Sequence, residues 1–187
     1  MTDMTPIIRG VYLFVKKSSL NSIFKIQYKE TDLEYLLLIS VGETIMYKIL
    51  VINPGSTSTK IAVYESEYLV FDDIIRYTPK ELGVFETVKY QYKKRSNDIF
   101  KILSMQNYKV LDFDAVIARG GLSKPVESGI YKVNARMIED LIGIGKIPHA
   151  CNLGAPMAKE IADKIGVPAF IADPPVVDEY EPLARLS

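Results

Sequence analysis

Two apolar runs joined by a short polar loop constrain the fold of this chain more than any other feature. The run Tyr47–Asn53 is rich in β-branched residues and is stopped by Pro54-Gly55, which predicts a buried strand. Thr59–Glu65 has the same character and predicts a second strand. Because so few residues separate them, the two strands are expected to pair as an antiparallel hairpin.

The rest of the chain predicts a third strand and then helices crossed with further strands. Thr78-Pro79-Lys80-Glu81 is a capping box with proline at the first helical position. The helical region after it is expected to reach about residue 107, with a break near 95–97. Asn134 and Asn152 are expected to cap two later helices, and Gly166 to close the second. The predicted strands are Tyr47–Asn53, Thr59–Glu65, Tyr68–Tyr77, Phe113–Ala118 and Val167–Ala172.

This order, β-β-β-α-β-α-α-β, predicts an α/β domain with a mixed five-stranded sheet and flanking helices. It is similar to the ribonuclease-H-like half of the actin, heat-shock ATPase and sugar-kinase superfamily. In such folds the loops at strand ends carry the chemistry.

Composition narrows the classes of partner. The 187 residues hold 23 basic and 23 acidic side chains, which argues against a nucleic-acid or membrane surface. The longest apolar run near the start, 35–41, is too short to span a membrane. Cys151 is the single cysteine, so no internal disulfide can form, and a cytoplasmic location is expected.

Residues 1–45 show no sustained period of 2 or 3.6, whereas clean alternation begins near Met46. Codons for Gly42-Glu43 can spell a purine-rich ribosome-binding site shortly before Met46. We therefore expect Met46 to be the natural start and 1–45 to be a translated leader. The alternative is a true N-terminal arm that docks on the domain.

The hairpin loop Asn53-Pro54-Gly55-Ser56-Thr57-Ser58-Thr59-Lys60 is dense in hydroxyl and amide donors. Gly55 permits close approach and Lys60 adds charge, so the loop suits phosphate oxygens. It is not a Walker P-loop, because no second glycine precedes the lysine and a strand rather than a helix comes after it. The alternative is a polar hairpin tip that satisfies its own hydrogen bonds.

Three motifs in register resemble the acetate and butyrate kinase family. "NPGSTSTKIAVYE" is similar to the family's N-terminal phosphate motif, and "DAVIARGGLSKPVESGIYKVN" to its arginine loop. "HACNLGAPMAKEIADKIGVPAFIADPPVVDEYEPLARLS" resembles the butyrate kinase segment with an Asp at a strand end. The resemblance covers 46–187, and the residues of the phosphate and arginine loops are more similar to those of butyrate kinases than to those of acetate kinases.

The resemblance implies transfer of the γ-phosphoryl group of ATP to a short-chain carboxylate, with Mg²⁺. It places Asn53, Gly55, Ser56, Ser58 and Lys60 on phosphate. It also implies catalytic roles for Arg119, Asp173 and His149, substrate contacts from Arg119, Gly120 and Gly121, and metal contacts from Asp173 and Asn53.

Elementary chemistry agrees with parts of this assignment. Arg119 can bind carboxylate and phosphate bidentately, and Gly120-Gly121 leaves room for close approach. Asp173 ends an apolar strand and can hold Mg²⁺, directly or through water. An imidazole at His149 can donate to a phosphoryl oxygen. The structural alternatives are a salt-bridged surface arginine, a turn-initiating aspartate before proline and a satisfied structural histidine.

Glu127 and Tyr131 are expected to shape an acyl pocket. The basic and aromatic stretch 90–95 is expected to be a solvated helix face.

The family has two such domains around a cleft, so 46–187 is expected to be the N-terminal kinase domain. We expect this chain alone to be inactive and to need a second domain, and the full-length protein to be a homo-oligomer. Two other classes stay open. One is a non-catalytic remnant or pairing module; the other is an acetate or propionate kinase, or a carbamoyl transferase, of the same superfamily.

Overall fold

The computed structural model describes residues 46–109, 112–124, 126, 129–143 and 148–175. The predicted leader or arm, 1–45, therefore lies outside the described residues, as does Glu127. The described strands are β1 (Lys48–Pro54), β2 (Ser58–Glu65), β3 (Tyr68–Arg76), β4 (Ala115–Arg119), β5 (Ile130–Lys132) and β6 (Ala169–Ala172). No helix in this part of the chain is long and apolar enough to cross a membrane.

The strands form one mixed sheet in the order β3-β2-β1-β4-β6-β5. The β1–β2–β3 meander is antiparallel, as its short loops require. Strand β1 is parallel to β4, and β4 is parallel to β6. The predicted α/β class, a mixed sheet with flanking helices, is confirmed, but the sheet has six described strands rather than five. The missed strand, β5, has three residues and pairs antiparallel with β6 at the edge, too short to show a period of two.

Alternation along the strands separates two apolar faces. Leu50 and Ile52 of β1 belong to the larger cluster, which α2 (Gln91–Met105) and α4 (Gly154–Ile165) cover with residues such as Leu103 and Ile161. Ile49 and Val51 point the other way, into a smaller cluster. Within the described residues, the members of that second cluster come from the strands and their flanks. The faces matter for function because they fix which side each strand-end residue occupies.

The first helical segments follow the sequence in one place and depart from it in another. Helix α1 (Pro79–Leu82) begins with the predicted capping box, since the Thr78 side chain accepts from the Glu81 N–H and Glu81 reaches back to the Thr78 N–H at 2.8 Å. It ends after one turn. A 3₁₀ turn, Val88–Tyr90, precedes α2, which runs unbroken through 95–97. The predicted break there is wrong, because Arg95 and Ser96 are buried and packed inside the domain.

The later helices give one confirmed cap and one correction. Helix α3 (Ala135–Ile142) begins at Asn134, whose side chain accepts from the Met137 N–H at 2.9 Å as predicted. Asn152 does not cap α4. It lies inside a 3₁₀ turn, Ala150–Leu153, and its side chain is buried and used elsewhere. Gly166 closes α4 in the left-handed conformation as predicted.

Candidate functional site

Three residues singled out in the sequence stand at the carboxyl ends of three adjacent strands. Asn53 is near the end of β1, Arg119 ends β4, and Asp173 follows β6. The parallel registers pair Ile52 with Ala118 and Arg119 with Ala172, so Asn53 and Arg119 lie at one level of the sheet and Asp173 lies one residue beyond it. Neighbouring strands are about 4.8 Å apart. The arrangement therefore brings these side chains to one edge, with Arg119 in the middle.

Side-chain alternation puts the cations of this edge on one face. Ile52 and Ala118 belong to the larger cluster, so Asn53 and Arg119, one residue later, face the opposite side. Lys60 lies directly across from Asn53 in the antiparallel register and shares its face. By the same rule Ser58 and Arg76, which face each other across β2 and β3, point to this side. Lys60, Arg76 and Arg119 are all exposed.

The loop after Arg119 is held by close contacts with two later segments. A Cβ on Gly120 would lie 2.6 Å from the Cα and Cβ of Pro174, and one on Gly121 would lie 2.8 Å from the Cα of Asn152. Both glycines are buried. Their small size is thus explained by protein packing, and the predicted contact of Gly120 and Gly121 with substrate stays a prediction. A Cβ on Gly154, the first residue of α4, would collide with the carbonyl oxygen of Arg119.

Asn152 clamps the same loop to α3. Its Oδ1 accepts from the Leu122 N–H at 2.8 Å, and its Nδ2 donates to the Leu141 carbonyl at 3.0 Å. Asn152 is 3% exposed; its bond to the Leu141 carbonyl is buried and its bond to the Leu122 N–H is partly buried. An amide is suited to this place because it supplies one acceptor and one donor to two backbone groups.

His149 is exposed and lies next to the 3₁₀ turn before α4. Its Nδ1 accepts from the Cys151 N–H at 3.3 Å and lies 2.8 Å from Cys151 Sγ. Burial raises the pKa of the Cys151 thiol, against the opposing effects of the Leu122 N–H and the Arg119 charge. The positive charge of Arg119 is therefore close enough to influence the turn next to His149.

Asp173 has an uncommon backbone conformation. Its φ is 37°, in the left-handed region, and its carboxylate accepts from the Gly129 N–H at 3.1 Å while its own N–H donates to the Gly129 carbonyl. Strain of this kind concentrates at functional positions. The described residues hold no cluster of three metal-ligating side chains. One carboxylate and one amide oxygen, from Asp173 and Asn53, suit Mg²⁺ shared with substrate phosphates. The two positions are about 10 Å apart across β4, which favours a water between Asn53 and such an ion.

Arg95 is a site residue that the sequence interpretation missed. The stretch 90–95 was predicted to be a solvated helix face, yet Gln91 and Arg95 are buried. Arg95 donates hydrogen bonds to backbone carbonyl groups of the hairpin loop. One signal could have revealed it: Gln91, Arg95, Ile99 and Leu103 recur every four residues, so the apolar stripe of α2 extends back to Arg95.

A cleft of about 180 Å³ lies beside His149. Its apolar walls include Val88, Ile142 and Leu153, and Asn152 joins it to the arginine loop. Tyr131, the described member of the predicted acyl pocket, is half-buried on β5 and is not among the residues that line this cleft. Its role stays a prediction.

Comparison with known proteins agrees with the motifs. No protein-family model matches the chain. The chain is 49% identical over 142 residues to a probable butyrate kinase of Clostridium botulinum (strain Eklund 17B / Type B), covering 75% of this chain and 40% of that protein. It is 46% identical over 141 residues to butyrate kinase 2 of Clostridium acetobutylicum, with the same two shares. The chain thus spans about 40% of the length of these relatives. Among solved structures, Porphyromonas gingivalis acetate kinase aligns with a TM-score of 0.45 and 16% identity, over 67% of this chain and 37% of that one.

Proposed function

We propose, from the premise that this chain is related in sequence to the butyrate kinases, that it is the phosphate- and carboxylate-binding part of an ATP-dependent carboxylate kinase. The proposed reaction converts ATP and butanoate to ADP and butanoyl phosphate, in the cytoplasm. The matched length of 142 residues equals that of the segment 46–187, which supports reading this segment as the N-terminal kinase domain. A second domain and a homo-oligomeric whole protein are part of the same proposal.

The observation that carries the proposal is the convergence of Asn53, Arg119 and Asp173 at one sheet edge. Carboxylate and triphosphate repel each other, so a kinase of this class needs cations between the two anions. Arg119 stands between the phosphate hairpin and the strand-end aspartate. Its planar guanidinium can bind the attacking carboxylate and the transferring phosphoryl group together. Lys60, on the same face as Asn53, adds a second cation on the phosphate side.

His149 can supply a hydrogen-bond donor. With Nδ1 accepting from the Cys151 N–H at 3.3 Å, a neutral imidazole would carry its proton on Nε2. That proton can be donated to a phosphoryl oxygen as negative charge develops. The apolar cleft beside His149 supports an acyl chain as the rest of the substrate.

Mg²⁺, when bound with ATP, would neutralise phosphate charge. Asp173 would hold it directly and Asn53 through a water molecule. The residues of this chain then bind and orient the two anions, which is the main task of the protein in phosphoryl transfer.

Calorimetric titration of the purified chain with Mg·ATP tests the proposal. Arg119→Met is expected to lower affinity at least about tenfold, as for loss of a charged hydrogen-bond donor to phosphate. Arg136→Met, at an exposed position on α3, is the matched control and is expected to leave affinity unchanged. Equal affinity in Arg119→Met and the unaltered chain refutes the assignment.

A second assay addresses turnover by this chain alone. ATP, Mg²⁺, butanoate and hydroxylamine are added, and butanoyl hydroxamate is measured. We expect none, because the chain spans about 40% of the length of its relatives. Robust product would contradict that expectation.

A further inference from the structure

Arg95 holds three carbonyl groups of the hairpin loop at once. Its Nη1 donates to the carbonyl oxygens of Gly55 at 2.8 Å and Ser58 at 3.1 Å, and its Nη2 to that of Ser56 at 3.1 Å. The same guanidinium also donates to Thr59 Oγ1 at 3.1 Å. One side chain, about forty positions away in sequence, therefore fixes the conformation of the whole loop.

The guanidinium is buried without a carboxylate. Arg95 is 0% exposed, and no acidic side chain of the described residues pairs with it. Its other contacts are Gln91 Oε1 at 2.9 Å and the Tyr77 ring, whose centroid lies 4.7 Å from Cζ. Arginine keeps its charge in such surroundings. Neutral dipoles and a ring face thus surround a full positive charge directly beneath the loop.

Peptide geometry turns this contact into an outward-facing set of donors. In a planar trans peptide the C=O of one residue and the N–H of the next point in opposite directions. Because the Gly55 and Ser56 carbonyls point inward to Arg95, the N–H groups of Ser56 and Thr57 point outward. Neither N–H has an acceptor within the part of the chain that the structure describes, and both residues are exposed. The Thr57 carbonyl is held separately, by the Tyr77 N–H at 2.9 Å.

We propose that Arg95 is the positioning residue of the phosphate loop: it draws the loop carbonyls inward so that the Ser56 and Thr57 N–H groups face a phosphoryl group. Its uncompensated charge acts through the loop on the same anion. This inference rests on the proposed function, because it takes the hairpin to be a phosphate site.

The test uses the full 187-residue chain, labelled with ¹⁵N, and inorganic pyrophosphate with Mg²⁺ as the probe. The amide signals of Ser56 and Thr57 are expected to shift on titration. Arg95→Met should weaken affinity about tenfold to a hundredfold, the range for a lost hydrogen bond to a charged group. Arg95→Lys keeps the charge but lacks the planar, five-donor guanidinium that reaches all of these acceptors, so it should recover part of the loss. The matched control is Lys101→Met, at an exposed position on the same helix.

The loop itself is measured without ligand. The Gly55 N–H bonds to the Ser58 carbonyl, an acceptor that Arg95 also holds, so Gly55 amide exchange should speed up in Arg95→Met and stay unchanged in Lys101→Met. If Arg95→Met does not fold, Thr59→Val removes one acceptor of the guanidinium and should give a smaller change of the same kind.

The outcomes separate this inference from the proposed function. Unaltered pyrophosphate affinity and Gly55 exchange in Arg95→Met overturn the role of Arg95. If the unaltered chain binds no pyrophosphate but Gly55 exchange speeds up in Arg95→Met, the phosphate site fails while the loop-shaping role stands. If binding weakens in Lys101→Met as much as in Arg95→Met, the effect is one of net charge and the inference is wrong.

Discussion

Replacing Asn152 with alanine should destabilise the domain more than replacing any exposed helix cap. The substitution leaves the Leu122 N–H and the Leu141 carbonyl without their hydrogen-bond partner. Asn152 itself is only 3% exposed. An unsatisfied buried backbone group costs about 1–3 kcal/mol, so the full penalty for the buried Leu141 carbonyl and a smaller one for the partly buried Leu122 N–H predict a loss of roughly 2–4 kcal/mol in the free energy of unfolding. That is a large share of the ~5–15 kcal/mol typical of a domain.

Urea denaturation of the full chain, followed by far-ultraviolet circular dichroism, measures the loss. Asn134→Ala is the matched control, because Asn134 is exposed and caps α3 with one bond to the Met137 N–H. Its expected cost is about 1 kcal/mol. A loss in Asn152→Ala no greater than that in Asn134→Ala would refute the clamp, since the buried bonds would then count no more than an exposed cap.

Three further predictions use the same measurement. Gly120→Ala should lower the free energy of unfolding by about 1–3 kcal/mol, because the added Cβ would lie 2.6 Å from Pro174. Gly55→Ala should lower it less, because the nearest neighbours of its Cβ are 3.4 Å away. Equal losses in the two variants would contradict the packing argument. Gly166→Ala should cost about 1 kcal/mol, since φ is 77° and no neighbour is crowded, and an unchanged midpoint would argue against a left-handed cap. Burial raises the pKa of Tyr77, so the folded state favours the neutral phenol. Stability from this source is present below the ordinary tyrosine pKa of about 10 and is lost as pH rises above it. As the pH rises from about 9.5 to about 11, Tyr77→Phe should lose less stability than the unaltered chain, and identical losses would refute the assignment.

Local signals predicted the fold well where neighbouring residues decide the structure. The hairpin of β1 and β2, the capping box at Thr78 and the cap at Asn134 depend on groups within a few positions, and all three are confirmed. Strand β5 was missed because three residues cannot display a period. Its place in the sheet is set by pairing with β6, some forty positions later.

The same distinction between local and remote contacts separates the site residues that the sequence revealed from those that it did not. The residue types at Asn53, Arg119 and Asp173 were visible in the sequence, and the parallel registers explain why they meet at one edge. The partners of Arg95 and Asn152 were not visible, because each binds backbone groups remote in sequence. An arginine beside lysines on a helix has the appearance of a solvated residue until the loop above it is in place. Tertiary contact, rather than local propensity, decides such residues.

The matched registers of β1, β4 and β6 have a mechanical consequence. Residues at the ends of hydrogen-bonded strands cannot approach one another without breaking the ladder between them. Under the proposed function, a ligand that reaches from the end of β1 to the end of β6 spans a distance that the sheet fixes. Reactants of different length would then be accommodated by Arg119 and Lys60, whose long side chains stand at the same edge.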